Sequence, residues 1–137
     1  MSDCIFCKIA LNDIPAVKVY EDSEFLAFLD IKPVRPGHTL VISKAHYDRF
    51  DVAPPEAAGQ LWQVVQKVAT AIVRATQAQG YNATINNGRA AGQVVDHVHV
   101  HVIPRMAKDG LSLWPQGEYQ GGEDEQVAQA IRQALKT

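Results

Sequence analysis

The chain has 137 residues, 47% of them hydrophobic and 20% charged, which is enough apolar material for one core and too little length for two ordinary domains. The whole of 1–137 is therefore read as one domain, and chain-wide disorder is excluded. Thirteen Lys plus Arg against fifteen Asp plus Glu leave a formal charge of -2, so the bulk electrostatics point to neither nucleic acid nor an anionic membrane as partner.

From the N-terminus, Cys4-Ile5-Phe6-Cys7-Lys8-Ile9 shows no basic stretch leading into an apolar one. No later segment approaches the ~20 apolar residues of a membrane span, so a cytoplasmic protein is expected. In a reducing compartment, Cys4 and Cys7 read as a metal or redox element rather than a disulfide, and they need partners elsewhere in the chain. Strands are expected at Val17–Glu21, Phe25–Ile31 and Thr39–Ser43, each bounded by turn-forming residues. A helix is expected from about Pro55 to Gln79, because Ala58, Leu61, Val65, Val68, Ile72 and Ala75 recur at helical spacing. Pro55 and Glu56 suit its first turn, and Gly80 suits its stop. Two more strands follow at Ala83–Asn86 and His97–Ile103, then a last helix at Glu123–Leu135 with Val127, Ile131 and Leu135 in one stripe.

This order is not a regular β-α-β alternation, so the expected architecture is α+β: a five-stranded antiparallel sheet with one long helix and a C-terminal helix. The segments Lys32–Gly37 and Asn86–Gln93 look like working loops, the first stiffened by prolines and the second opened by glycines.

The chemistry concentrates in the last strand. Alternation puts His97, His99 and His101 on one face and Val98, Val100 and Val102 on the other, so the valines read as core. Three imidazoles at two-residue steps span about 13 Å, too far to share one metal but suited to framing a phosphate-bearing ligand. Neutral imidazole attacks phosphorus, and its neighbours donate to the non-bridging oxygens, so phosphoryl or nucleotidyl transfer is implied.

The run His97-Val98-His99-Val100-His101-Val102-Ile103 resembles the signature of the histidine triad (HIT) superfamily. So do Cys4–Ile9, Ala27–Ile31, Pro36–Lys44, Asn86-Asn87-Gly88 and Gly92-Gln93, in the order of its bacterial Hint-like branch of nucleotide hydrolases. The resemblance implies a homodimer that cleaves nucleoside monophosphate conjugates, with a purine nucleotide or conjugate as ligand and neither nucleic acid nor membrane as partner. His99 would be the nucleophile of a covalent nucleotidyl-histidine intermediate, His101 would contact the α-phosphate and His97 would order the site. Asp30 would bind ribose, Asn86 and Gln93 would contact phosphate or leaving group, and His38 is similar to a pocket histidine of the family. Val94 departs from the hydroxyl residue of many eukaryotic phosphoramidase-type members, which removes a hydrogen bond to the leaving group. Trp114-Pro115 is similar to a tail segment that reaches the partner's site in some members.

Cys4 and Cys7 would need two more ligands for tetrahedral zinc, with His46 and His97 as candidates. Bacterial members similar to this chain carry that Cys-Cys-His-His set, which implies a structural zinc on Cys4, Cys7, His46 and His97. Two alternatives remain at this stage: a diadenosine polyphosphate hydrolase, encouraged by the ending Val100–Arg105, and a non-catalytic nucleotide-binding module. Val98 stands where the galactose-uridylyl transferase branch has Pro, which disfavours that branch.

Overall fold

The structure is a computed structural model that describes residues 3–137; the first two residues of the expected single domain lie outside the described residues. Its elements are α1 (Ile5–Ala10), β1 (Lys18–Glu21), β2 (Phe25–Leu29), β3 (Thr39–Ser43), α2 (Pro55–Thr76), β4 (Gly80–Thr84), β5 (His99–Arg105) and α3 (Glu123–Leu135). The five strands form one antiparallel sheet in the order β1-β2-β3-β5-β4, so β5 is inserted between β3 and β4.

Each face of the sheet has its own cover. On one face, Leu61, Val64, Val65, Val68, Ala69 and Ile72 of α2 pack on Phe25, Ala27 and Val41 and on Val98, Val100 and Val102. The valine half of the His-Val alternation is therefore core, as expected. On the other face, Phe6 and Ile9 of α1 pack on Leu26, Phe28, Leu40 and Ile42. The triad side chains share this second face, and the Phe6 ring meets those of His97 and His99 edge-on at centroid distances of 5.9 and 5.1 Å.

The element boundaries differ from expectation where long-range contacts decide them. Residues 4–11 carry no helical signal in the sequence, because six helical residues are too few for a periodic pattern; α1 forms with Cys4 as N-cap, its Sγ accepting the Cys7 N–H. The last strand begins at His99 rather than His97, since its pairing with β3 ends at Ile42↔His99. Beyond that point the His97 imidazole donates to the Ser43 carbonyl instead. β4 is Gly80–Thr84, not Ala83–Asn86, so Asn86 lies in the loop. Gly80 starts this strand, and α2 stops at Gln77, which takes the left-handed conformation with φ 57°. α3 forms as expected, but its stripe of Val127, Ile131 and Leu135 stays exposed instead of packing on the sheet. No helix among the described residues is long and apolar enough to cross a membrane.

Candidate active site and metal centre

Two sites share the face that α1 covers, and His97 belongs to one of them while bordering the other. The first is a cavity of about 470 Å³. Its apolar end is lined by Ile5, Phe6, Ile9 and Phe28, and its polar end by Asp30, Asn86, His99 and His101.

The hydrogen bonds at the polar end fix where each proton lies. Nδ1 of His99 is 2.7 Å from the His97 carbonyl oxygen. A carbonyl only accepts, so Nδ1 carries the proton and Nε2 keeps its lone pair. Around His101 the chain of donors starts at the backbone: Val34 N–H donates to Nδ1 of His38 at 3.0 Å, and Nε2 of His38 lies 3.0 Å from Nδ1 of His101. His38 is buried, and its Nε2 also faces Asp30 Oδ2 at 3.6 Å. Asp30 Oδ1 accepts the Lys32 N–H at 2.9 Å, which braces the carboxylate at the end of β2.

Burial is the main cause that lowers the pKa of His38, His99 and His101, and His101 is pushed down to about 4 with His99 and His38 as further causes. Neutral imidazole is therefore the resting form. Asp30, His38 and His101 bring three donor atoms within 4.8 Å of one another. The proton on His38 Nε2 points into that space, which makes it a hydrogen-bond chain rather than a cation site. The arrangement offers one lone pair at His99 beside one N–H donor at His101, a pairing suited to attack on phosphorus with stabilisation of its oxygens.

Two expected contacts fall out differently. Asn86 lines the cavity, and Gly92, at φ 94°, passes so close that a Cβ there would stand 3.4 Å from Asn86 Nδ2. Gln93 does not line it. Its buried amide accepts Gly88 N–H at 2.8 Å and donates to the carbonyls of Asp48 at 2.6 Å and Val95 at 3.0 Å, so it braces the loop that presents Asn86. That bracing role carried no sequence signal, because its partners are backbone atoms up to 45 residues away.

The second site gathers Cys4, Cys7, His46 and His97, whose ligand atoms all lie within 4.8 Å of one another. Cys4 Sγ is 3.4 Å from Nδ1 of His97, and Cys7 Sγ is 3.3 Å from Nδ1 of His46. Both imidazoles are held from behind: His97 Nε2 donates to Ser43 O at 2.7 Å and His46 Nε2 to Asp48 Oδ1 at 2.8 Å. Each therefore turns an Nδ1 lone pair towards the thiols, the donor set and outer contacts that suit tetrahedral zinc. Burial and the neighbouring Cys4 push the Cys7 thiol up, so two thiolates here call for a cation. Asp48, which orients His46, was missed in the sequence because an acidic residue two positions on has no distinctive pattern.

With this geometry in hand, the comparisons define the class. A family model described as "HIT domain" matches residues 12–108, and the chain belongs to the HIT family. It is similar to the adenosine 5'-monophosphoramidase hnt1 of Schizosaccharomyces pombe, at 41% identity over 97% of this chain and 98% of that protein. It is also similar to the adenylylsulfatase HINT3 of Arabidopsis thaliana, at 43% identity over 80% of this chain, spanning only 56% of that longer protein. Among solved structures, one from Streptococcus mutans UA159 superposes with a TM-score of 0.93 at 43% identity, covering 98% of this chain and 87% of that one. A zinc-bound histidine triad family protein from Mycobacterium smegmatis gives 0.78 at 37% identity, covering 99% of both chains.

Proposed function

We propose that this chain, acting as one domain, is a nucleotide hydrolase that cleaves nucleoside 5'-monophosphate conjugates through a covalent nucleotidyl-histidine intermediate. The observation that carries the reading is the 2.7 Å bond from His99 Nδ1 to the His97 carbonyl, which leaves the Nε2 lone pair of His99 as nucleophile. In the first step Nε2 attacks the α-phosphorus, a P–N bond to His99 forms, and the bond to the leaving group breaks with its electron pair, the departing amine taking a proton from water. In the second step water displaces the histidine, returning the mononucleotide and free imidazole. Splitting one displacement into two is the kinetic gain.

His101 donates from Nε2 to a non-bridging oxygen, and His38 holds it in that tautomer. Asp30 accepts from the ribose hydroxyls, and the apolar end formed by Ile5, Phe6, Ile9 and Phe28 takes a purine base. Asn86 reaches phosphate or leaving group, while Gln93 acts through the loop. His97 orders the nucleophile through its carbonyl. The phosphoramidase named among the relatives supports a phosphoramidate over a dinucleoside polyphosphate. Arg105, the cation nearest the end of the signature, is tied to Asp109, Asn82 and the Leu111 carbonyl and so is not free for extra phosphates.

The same reading includes a structural zinc held by Cys4, Cys7, His46 and His97, supported by the turned lone pairs and the zinc-bound relative. When bound, the ion crosslinks the N-terminal segment to the sheet and takes no part in the displacement. A homodimer and a cytoplasmic location complete it.

The test incubates wild type and His99→Ala with adenosine 5'-phosphoramidate and, separately, diadenosine tetraphosphate, following AMP release and the adenylylated protein by mass spectrometry. Wild type should release AMP from the phosphoramidate and show the adduct, and the variant should do neither. Equal activity in the two proteins overturns the mechanism, and wild type that binds AMP but cleaves nothing is a binding module. Metal analysis of wild type and the Cys4→Ala, Cys7→Ala double variant tests the zinc, and equal content in both overturns its assignment.

A further inference from the structure

The apolar wall of the cavity rides on α1, and the attachment of α1 is peculiar. Among the described residues, the backbone hydrogen bonds of 4–14 close within that segment, from Lys8 N–H to Cys4 O through Ile14 N–H to Lys8 O. The first backbone tie to the sheet side is Leu29 N–H to Val17 O. Two sets of side chains therefore do most of the holding: Phe6 and Ile9 on the apolar sheet face, and Cys4 and Cys7 against His97 and His46. A helix of six residues has little stability of its own, so its place depends on those contacts.

The cysteines occupy the N-cap and first turn of the same helix whose Ile5, Phe6 and Ile9 line the cavity. Their partners lie just after β3 and just before β5, so a metal on the four ligands would clamp α1 to both strands.

We infer that metal ligation at Cys4, Cys7, His46 and His97 and nucleotide binding in the cavity are coupled through α1, the ligated cysteines positioning the wall that receives the base. The inference rests on the nucleotide and zinc readings above. Coupling of this kind is reciprocal: if the metal raises nucleotide affinity by some factor, the nucleotide raises metal affinity by the same factor. It acts chiefly on the base, which the α1 wall would receive, while phosphate and ribose would face Asp30, Asn86, His99 and His101.

The experiment measures AMP and ribose 5-phosphate binding by calorimetry to zinc-loaded and chelator-stripped protein. AMP should bind on the order of tenfold more weakly after stripping, and saturating AMP should tighten zinc by the same factor. Ribose 5-phosphate, which has no base, should weaken by a smaller factor than AMP. Asp48→Asn provides a second route, because the Asp48 carboxylate bonds the far nitrogen of His46 rather than a metal-facing one, and it is 66% exposed. Its AMP affinity should fall at limiting zinc and recover in excess zinc. Stripped protein that keeps its circular dichroism spectrum and binds AMP undiminished overturns the coupling and leaves the hydrolase reading intact. Should stripping unfold the protein, the Asp48→Asn zinc titration decides, and an AMP affinity constant across it overturns the coupling. Zinc-loaded protein that binds no AMP overturns both readings.

Discussion

His38 donates its Nε2 proton to Nδ1 of His101 across 3.0 Å, and Val34 sets the direction by donating its own N–H to the other nitrogen of His38. His101 is thereby left with its proton on Nε2, the nitrogen able to face a ligand. A backbone amide in a proline-flanked loop thus selects which tautomer a residue on β5 presents.

Replacing His38 by Phe keeps a ring in the buried site and removes this control. The His38→Phe variant should lose about 100-fold in kcat/KM on a nucleoside phosphoramidate, the scale of a displaced acid-base partner. Steady-state kinetics beside a thermal melt would check it. A folded variant with undiminished turnover would show that His101 needs no such director.

Asp30 should act on the ribose. In Asp30→Asn the bond from Lys32 N–H is preserved, because the amide oxygen still accepts, but one charged acceptor is lost. KM for a ribonucleoside conjugate should rise roughly tenfold, the worth of a hydrogen bond to a charged group. Wild type should handle the 2'-deoxy substrate as poorly as the variant handles the ribo one. Equal KM for wild type and variant on the ribo substrate would remove Asp30 from the sugar site.

Stability should fall on the acid side. His101 is held at about 4 against an ordinary 6.5, chiefly by burial. Above pH 6.5 neither folded nor unfolded chain binds the proton, so there is no cost. Between 6.5 and 4 the unfolded chain takes it up first, and the folded state loses stability progressively as pH falls. The urea midpoint should therefore drop between pH 6.5 and 4 in wild type and drop less in His101→Phe. Parallel pH profiles for the two proteins would refute this.

Gly37 precedes His38 at φ +99°, where a Cβ would lie 2.9 Å from Thr76 Cγ2 and 3.2 Å from Pro104 Cγ. Gly37→Ala should therefore combine backbone strain with a clash against α2, costing on the order of 1–3 kcal/mol by denaturant titration. An unchanged midpoint would mean that the turn and helix end relax at no cost.

Much of this molecule is local in origin and was legible in one dimension. The three-and-four spacing of apolar residues marks α2, and the His-Val alternation separates core from site on β5, because side-chain direction follows backbone geometry residue by residue. The Cys4/Cys7 spacing announced a pair awaiting partners. By contrast, α1 leaves no signal because its six residues hold fewer than two helical turns. The ends of β4 and β5 were displaced because pairing length depends on the neighbouring strand. Gln93 was expected at the ligand, yet its amide is consumed by backbone groups that only the folded loop brings near.

The sequence by itself therefore determined the types of the longer elements, the face that carries the histidines and the kinds of donor available for metal and phosphate, all consequences of short-range sterics and residue chemistry. Only the tertiary structure decided that β5 lies between β3 and β4, that α1 folds over the histidine face and that His97 looks towards the thiols while its carbonyl holds His99. It also decided the proton positions, since the His38–His101 bond joins residues 63 apart and leaves no mark in either neighbourhood of the chain. Hydrogen bonds between such distant groups depend on closing the chain, and nothing in local propensity encodes that closure.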